Sequence, residues 1–169
     1  MANILIDGYN LIGIAHRDIE KARHDLIQKL GAYANIKQHN ITVVFDGWKA
    51  GQAVETQKRM SGITVIFSRI GEKADDVIKD MLSSGTKSWI AVSSDREIYD
   101  FAEKKHFAAL TADQFEKKLF LALEGMTRNN EEERWKDDED RCLKQTQKKG
   151  NPQKLARKEK RKIGALKKL

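Results

Sequence analysis

The sequence predicts an α/β domain built on a central, mainly parallel sheet of about five strands. Three observations lead there. Short apolar runs alternate along the chain with amphipathic stretches of helical period. The runs, such as Ile4-Leu5-Ile6 and Val43-Val44-Phe45, show no polar alternation, as expected of strands covered on both faces. Several of them stop at an aspartate: Asp7, Asp46 and, after Ile90-Ala91-Val92-Ser93-Ser94, Asp95.

Taken in order, Asn3–Asp7 is the first strand, broken by Gly8. From Asp18 to Gln38, the residues Ile19, Ala22, Leu26, Leu30, Tyr33 and Ala34 recur every three or four positions, which predicts a helix with Asp18 as its N-cap. Ile41–Phe45 and Ile63–Ser68 are the next two strands, and Gly47–Gly62 between them suits a helix or an ordered loop. Ala74–Ser83 is a helix with Ala74, Val77, Ile78, Met81 and Leu82 on its apolar face and Gly85 at its C-terminal cap. Ser88–Ser94 is a strand, Arg96–Lys105 a short helix, and Phe107–Leu110 a fifth strand. Thr111 and Gln114 form a capping box for a helix to Leu123, closed by Gly125. The domain is therefore expected over residues 1–125. Residues 126–169 form an appendage: a charged helix over Glu131–Asp140, then a basic tail in which Pro152 and the Lys/Arg run beyond it are expected to be disordered without a partner, the alternative being a basic amphipathic helix around Leu155–Leu169.

Charge is divided along the same boundary. The chain carries a formal +7, but Lys148–Leu169 alone holds ten Lys/Arg against Glu159, leaving residues 1–147 at −2. A near-neutral body with a basic arm suits a polyanion such as nucleic acid, or simply a solvated tail. Cys142 is the only cysteine, which rules out an internal disulfide and a cysteine-based zinc site. The opening residues lack the basic segment of a signal peptide, and no apolar run reaches membrane-spanning length, so a cytoplasmic protein without a membrane partner is expected.

The chemistry rests on the carboxylates. In open α/β sheets, sites form outside the carboxyl ends of strands, where Asp7, Asp46 and Asp95 are expected. Gathered there, like charges repel unless a cation lies among them. Each acid also has a plainer reading: Asp46-Gly47 suits a turn, and Asp95 suits an N-cap. Asp7 precedes Gly8, whose freedom would let the chain turn over a ligand. On the Ala74 helix, Asp75 falls about 100° from Ala74, at the border of the buried face, and Asp76 about 200° away on the exposed side. Asp75 is thus the better ligand; Asp76 acts through water or favours the helix N-terminus, and Glu72 is weaker. Oxygen donors without clustered histidines select Mg²⁺ or Mn²⁺. Asn10, Ser93 and Ser94 are candidates to orient a phosphate, and Arg69 to pair with one, unless they serve ordinary loop hydrogen bonding.

Four motifs in order, Asp7-Gly8-Tyr9-Asn10-Leu11, Phe45-Asp46-Gly47, Ala74-Asp75-Asp76 and Ser93-Ser94-Asp95-Arg96-Glu97, resemble the NYN domain in its bacterial YacP-like branch. That family is part of the PIN-like, flap-nuclease-like group of metal-dependent ribonucleases. The resemblance covers about residues 2–125. It implies a PIN-like three-layer fold, Mg²⁺ or Mn²⁺, and endonucleolytic cleavage of RNA. It carries over Asp7, Asp75, Asp76 and Asp95 as acidic site residues, with Asn10 and Asp46 beside them. Because the branch includes ribosome-associated mRNA endonucleases, it implies mRNA and the ribosome as partners.

Trp48, after Asp46-Gly47, is placed either to stack on a base or to cover the core. Trp89 is expected in the core. Tail bases including Lys158 and Arg161 are candidates for phosphate contacts without sequence selection. The sequence points to a metal-dependent endoribonuclease, with a non-catalytic RNA- or ribosome-binding protein as the rival. A receiver domain would want two acids at the first strand end, and a haloacid-dehalogenase-type phosphatase Asp-x-Asp, where Tyr9 stands second after Asp7.

Overall fold

The computed structural model describes residues 1–13, 18–47, 55–85, 87–124 and 157–169. Its elements are β1 (Asn3–Asp7), α1 (Gly8–Ile12), α2 (Ile19–Lys37), β2 (Asn40–Phe45), β3 (Thr56–Met60), β4 (Ile63–Phe67), α3 (Ala74–Ser83), β5 (Trp89–Val92), α4 (Arg96–Lys104), β6 (Ala108–Leu110), α5 (Ala112–Glu124) and α6 (Arg157–Lys168). The strands form one sheet in the order β3-β4-β2-β1-β5-β6, parallel except for β3, which runs antiparallel to β4.

The pleat explains why the apolar runs are continuous. Successive side chains leave a strand on opposite faces. Ile4, Ile6, Val43, Phe45, Val65, Phe67, Ile90 and Val92 enter one core with α1, α2, α5 and α6. Leu5, Val44, Ile66 and Ala91 enter a second core under α3 and α4. Two helical layers thus sandwich the sheet, the three-layer arrangement expected. Trp89 is core, as expected.

Local signals place the helices. The Asp18 side chain accepts from Lys21 N, and Gln38 closes α2 in the left-handed conformation. Thr111 and Gln114 form the reciprocal capping box, at 3.4 and 3.3 Å. Gly85, at φ +64°, follows the α3 cap Ser84.

Two expectations are corrected. The Gly47–Gly62 segment, expected as a helix or an ordered loop, carries the edge strand β3. Its sequence, Thr-Gln-Lys-Arg-Met, has no apolar stripe because its side chains remain largely exposed; pairing with β4 through the Ser61-Gly62 turn, not burial, defines it. Charged edge strands of this kind discourage pairing with other chains.

The tail is likewise not disordered throughout. Its final segment is α6, whose Ala165 and Leu169 lie in the first core. The Tyr33 hydroxyl donates to Leu169 O (3.0 Å), and His39 Nε2 pairs with Lys168 O (2.9 Å). The structure thus takes the alternative of a basic helix near Leu155–Leu169, with few but well-placed apolar anchors. The charged helix expected over Glu131–Asp140 lies outside the described residues, as does Gly125.

Replacing Ala165 by Asp would force a carboxylate into this core without a counter-ion. Urea unfolding should show a loss of about 3 kcal/mol or more, whereas Lys160→Asp on the exposed side should change stability little. Equal stability of both variants would show that α6 is undocked.

Candidate active site at the carboxyl edge of the sheet

The topology creates a crevice at β1. The chain leaves β1 for α2 on one face of the sheet, while its neighbour β5 leads to α4 on the other. Connections diverge there, which is where ligands bind in such sheets. Asp7 ends β1 at this point, only 5% exposed.

Asp7 shares the strand parity of Leu5, and so leans toward the α3 layer; Asp46 and Ser93 have the matching parity on β2 and β5. The pleat therefore gathers these polar residues on one side. Asp7 Oδ1 accepts from Asn10 N (3.2 Å), capping α1. Its Oδ2 accepts from Asn10 Nδ2 (2.7 Å) and from the Ser93 hydroxyl (3.2 Å). The Ser93 oxygen also accepts from Asn10 Nδ2 (3.2 Å) and from Asp95 N (3.0 Å). Asp7, Asn10 and Ser93 are thus locked into one network that extends to the Asp95 backbone.

Burial raises the Asp7 pKa above its ordinary value. Its hydrogen bonds to Asn10 and Ser93 oppose the shift, and the charge of Asp46 adds to it. Asp75 is also raised, first by burial, then by Asp7 and Asp95, with Lys79 opposing and Asp46 reinforcing. The four aspartates therefore share one electrostatic field. Asp75 is half-buried and Asp76 exposed, the order expected from the helical wheel.

The remaining candidates divide. Asp46 Oδ1 accepts from Ala74 N (2.6 Å), capping α3 from another strand where Lys73 supplies no side-chain cap. Asp95 Oδ1 accepts from Glu97 N (2.6 Å) as the N-cap of α4. The turn and cap readings of these acids thus describe their local roles, while their charges still meet at the site. Ser94, placed in sequence as a phosphate donor, is exposed, and its oxygen accepts from Ala112 N (3.1 Å) at the start of α5, which leaves its O–H able to donate. Arg69 is exposed, and its Nε pairs with Glu72 Oε2 (3.2 Å).

Gly8 does not turn the chain over a ligand. It begins α1, and a Cβ there would collide with the Phe45 ring, so close packing demands the glycine. Arg161 lies by α4 and β6, lining a cavity with Asp100, Glu103 and His106, and not beside Asp7. Trp48 and the side chain of Lys158 lie outside the described residues.

Among the described residues, no three Asp, Glu, His or Cys side chains are grouped closely enough to hold one metal ion together. The single cup of Asp7, Asp75 and Asp95 expected from sequence is, in this arrangement, an acidic rim. The donors still fit Mg²⁺ or Mn²⁺ chemically. They are all oxygen, burial and mutual repulsion disfavour their charge, and Mg²⁺ keeps several waters while taking one or two carboxylates directly.

Sequence reasoning missed Arg23. Its guanidinium carbon lies 5.4 Å from the Phe67 ring centroid. Phe67 stacks on Phe45, against which Tyr9 packs edge-on. On α2, Arg23 looks like one more solvated charge, and only the long-range pairing of β4 with β2 brings Phe67 beneath it.

The description "YacP-like NYN domain" matches residues 4–167. The chain belongs to the YacP-like NYN domain family. The match includes α6. Protein YacP of Bacillus subtilis (strain 168) is 32% identical over 85 residues, 46% of this chain and 49% of that protein; the alignment thus spans about half of the relative's length. Two crystal structures of Rae1 (YacP) from Bacillus subtilis share the fold. One is superimposable with a TM-score of 0.60 at 23% identity, covering 86% of this chain and 92% of that one. The other, of a tryptophan-to-leucine mutant, gives 0.59 at 21%, covering 99% and 98%. The fold is accordingly PIN-like, and the NYN domain is a nuclease-like, RNA-related module. None of the described helices is long and apolar enough to cross a membrane.

The raised Asp7 pKa has a definite consequence for stability. Below its ordinary value of 3.8 the group is protonated in both the folded and the unfolded state, and burial of its charge costs nothing. As pH rises through the higher folded value, stability is lost, because the folded state must give up a proton that it holds more tightly. The wild type should therefore lose Tm as pH rises through the raised Asp7 value, and Asp7→Asn, which removes the charge but also one acceptor of the network, should flatten that pH dependence. Thermal melts of both proteins across pH check this.

Proposed function

We propose that this protein is a divalent-metal-dependent endoribonuclease that cleaves mRNA in association with ribosomes. The observation that carries the reading is the buried Asp7 carboxylate at the crevice of the sheet, fixed by Asn10 and Ser93, with its charge coupled to Asp46 and Asp75, and Asp75 in turn to Asp95. Keeping acids this close costs stability, and a site for a cation and a phosphodiester gives that cost a purpose.

Mg²⁺ or Mn²⁺ would be held directly by one or two of Asp7, Asp75 and Asp95 and through water by the others, with Asp46 and Asp76 supporting, and would supply charge for the phosphate oxygens and acidify a nucleophilic water. The chain's own residues set the stage. Ser93 and Asn10 fix the Asp7 oxygens, and burial of Asp7 limits competing solvent. The Asp95 carboxylate is oriented by its α4 cap, and Asp46 ties the start of α3, and so Asp75, to the end of β2. The membership in the YacP-like branch supports mRNA and the ribosome as substrate and partner, and the basic α6 suits a polyanionic surface.

The absence of a three-carboxylate group among the described residues favours a second reading, a non-catalytic RNA- or ribosome-binding protein. Cleavage of an RNA oligonucleotide separates the two. Wild type should cut with Mn²⁺ or Mg²⁺ and stop with EDTA. Asp7→Asn should lose roughly a hundredfold or more of the rate, and Ser93→Ala about 10–100-fold, since it acts through Asp7. RNA binding should survive both substitutions. Binding without cleavage by any metal would establish the second reading.

The metal has a readout of its own. At a hundred times its Kd, Mn²⁺ should stabilise the wild type by about 2.7 kcal/mol, raising Tm, and should have much less effect on Asp7→Asn. An equal shift in both proteins would place the ion elsewhere.

A further inference from the structure

We infer that Arg23 binds a backbone phosphate of the RNA, next to the carboxylates and on the opposite side of the sheet edge from Asp75. The inference rests on the RNA reading above but not on cleavage.

Four observations carry it. First, Arg23 reaches the carboxyl ends of β2 and β4 from the α2 layer, with its guanidinium over Phe67. Second, it borders the acidic site: Phe67, under the guanidinium, stacks on Phe45, which directly precedes Asp46, and Tyr9, two residues from Asp7, packs edge-on against Phe45. Third, Arg23 has no carboxylate partner among the described residues, unlike Arg69, paired with Glu72, and Arg96, paired with Asp100. Fourth, Arg23 is only part-buried, and the Tyr9 hydroxyl beside it can take no more than a share of its five N–H donors. A guanidinium is the side chain best matched to phosphate oxygens.

The aromatic residues account for its position. The Phe67 face attracts the cation and holds its plane. Phe45 and Tyr9 extend the apolar wall toward Asp7. A strand of RNA crossing the sheet edge would then meet an acidic rim on the α3 side and a fixed cation on the α2 side. Arg23 would bind a phosphate flanking the one among the carboxylates, and it is a positioning residue. The acids by themselves repel RNA; a neighbouring cation offsets that repulsion for one phosphate.

The test is equilibrium binding of a single-stranded RNA oligonucleotide to the full chain in EDTA, over a range of salt. Cleavage with Mn²⁺ is measured separately. Arg23→Gln should bind about tenfold more weakly, and the slope of log affinity against log salt should flatten by about 0.7, the share of one phosphate on a single strand. Arg23→Lys should recover most of the salt slope but only part of the affinity, because it keeps the charge and loses the planar fork. In cleavage, Arg23→Gln should raise KM with kcat little changed. If Arg23→Gln binds with wild-type affinity and slope, or if wild type binds no RNA, the inference is overturned. A variant that only melts at lower temperature, with RNA binding intact, would show that Arg23 merely holds Phe67. Failure of the nuclease reading looks different: no cleavage by wild type, with the Arg23 effect on binding still present.

Discussion

A nearly buried carboxylate, Asp7, is the constraint around which the carboxyl edge of the sheet is organised. An ionised group in that position is costly unless its oxygens are satisfied. The fold meets the requirement with Asn10, through both backbone and side chain, and with the Ser93 hydroxyl from the adjacent strand. These bonds oppose burial without cancelling its effect, since the group remains harder to ionise than an ordinary aspartate. The parallel register of β1 with β5 is what brings Ser93 within reach: Ile6 lies opposite Val92, so the next residues on each strand meet.

The neighbouring polar residues serve helices as well as charge. Asp46 caps α3, Asp95 caps α4, and Ser94 caps α5. Each cap satisfies an amide that the helix cannot pair internally. Because the helix starts converge on the same sheet edge, their caps converge too, and three of the carboxylates belong to well-ordered junctions rather than to free loops. A site so built is rigid in its parts.

The distribution of charge follows the same geometry. Acids gather at the carboxyl edge, whereas α6 places its Lys and Arg by β6, α4 and the amino end of β2, where His39 meets Lys168. The molecule therefore has an acidic crevice at one end and a basic helix away from it. An extended polyanion would be drawn to the second region and would need a local cation, such as Arg23, to approach the first.

Much of this was legible in the chain itself. Periodicity exposes the strands and helices because a buried strand must be apolar throughout, a packed helix apolar every third or fourth residue, and a helix start must be capped; Asp18, Thr111 and Gln114 are visible for that reason. The aspartates at strand ends and the order Asp75 before Asp76 in burial follow from the same local rules. Tertiary structure decided everything that depends on contact between distant segments: Asp46 capping α3, Ser94 capping α5, Arg23 lying on Phe67, β3 held by its partner alone, and α6 anchored by Ala165 and Leu169. Local pattern records what a residue prefers, but a hydrogen bond or a charge pair between remote positions exists only once the sheet order has set them side by side.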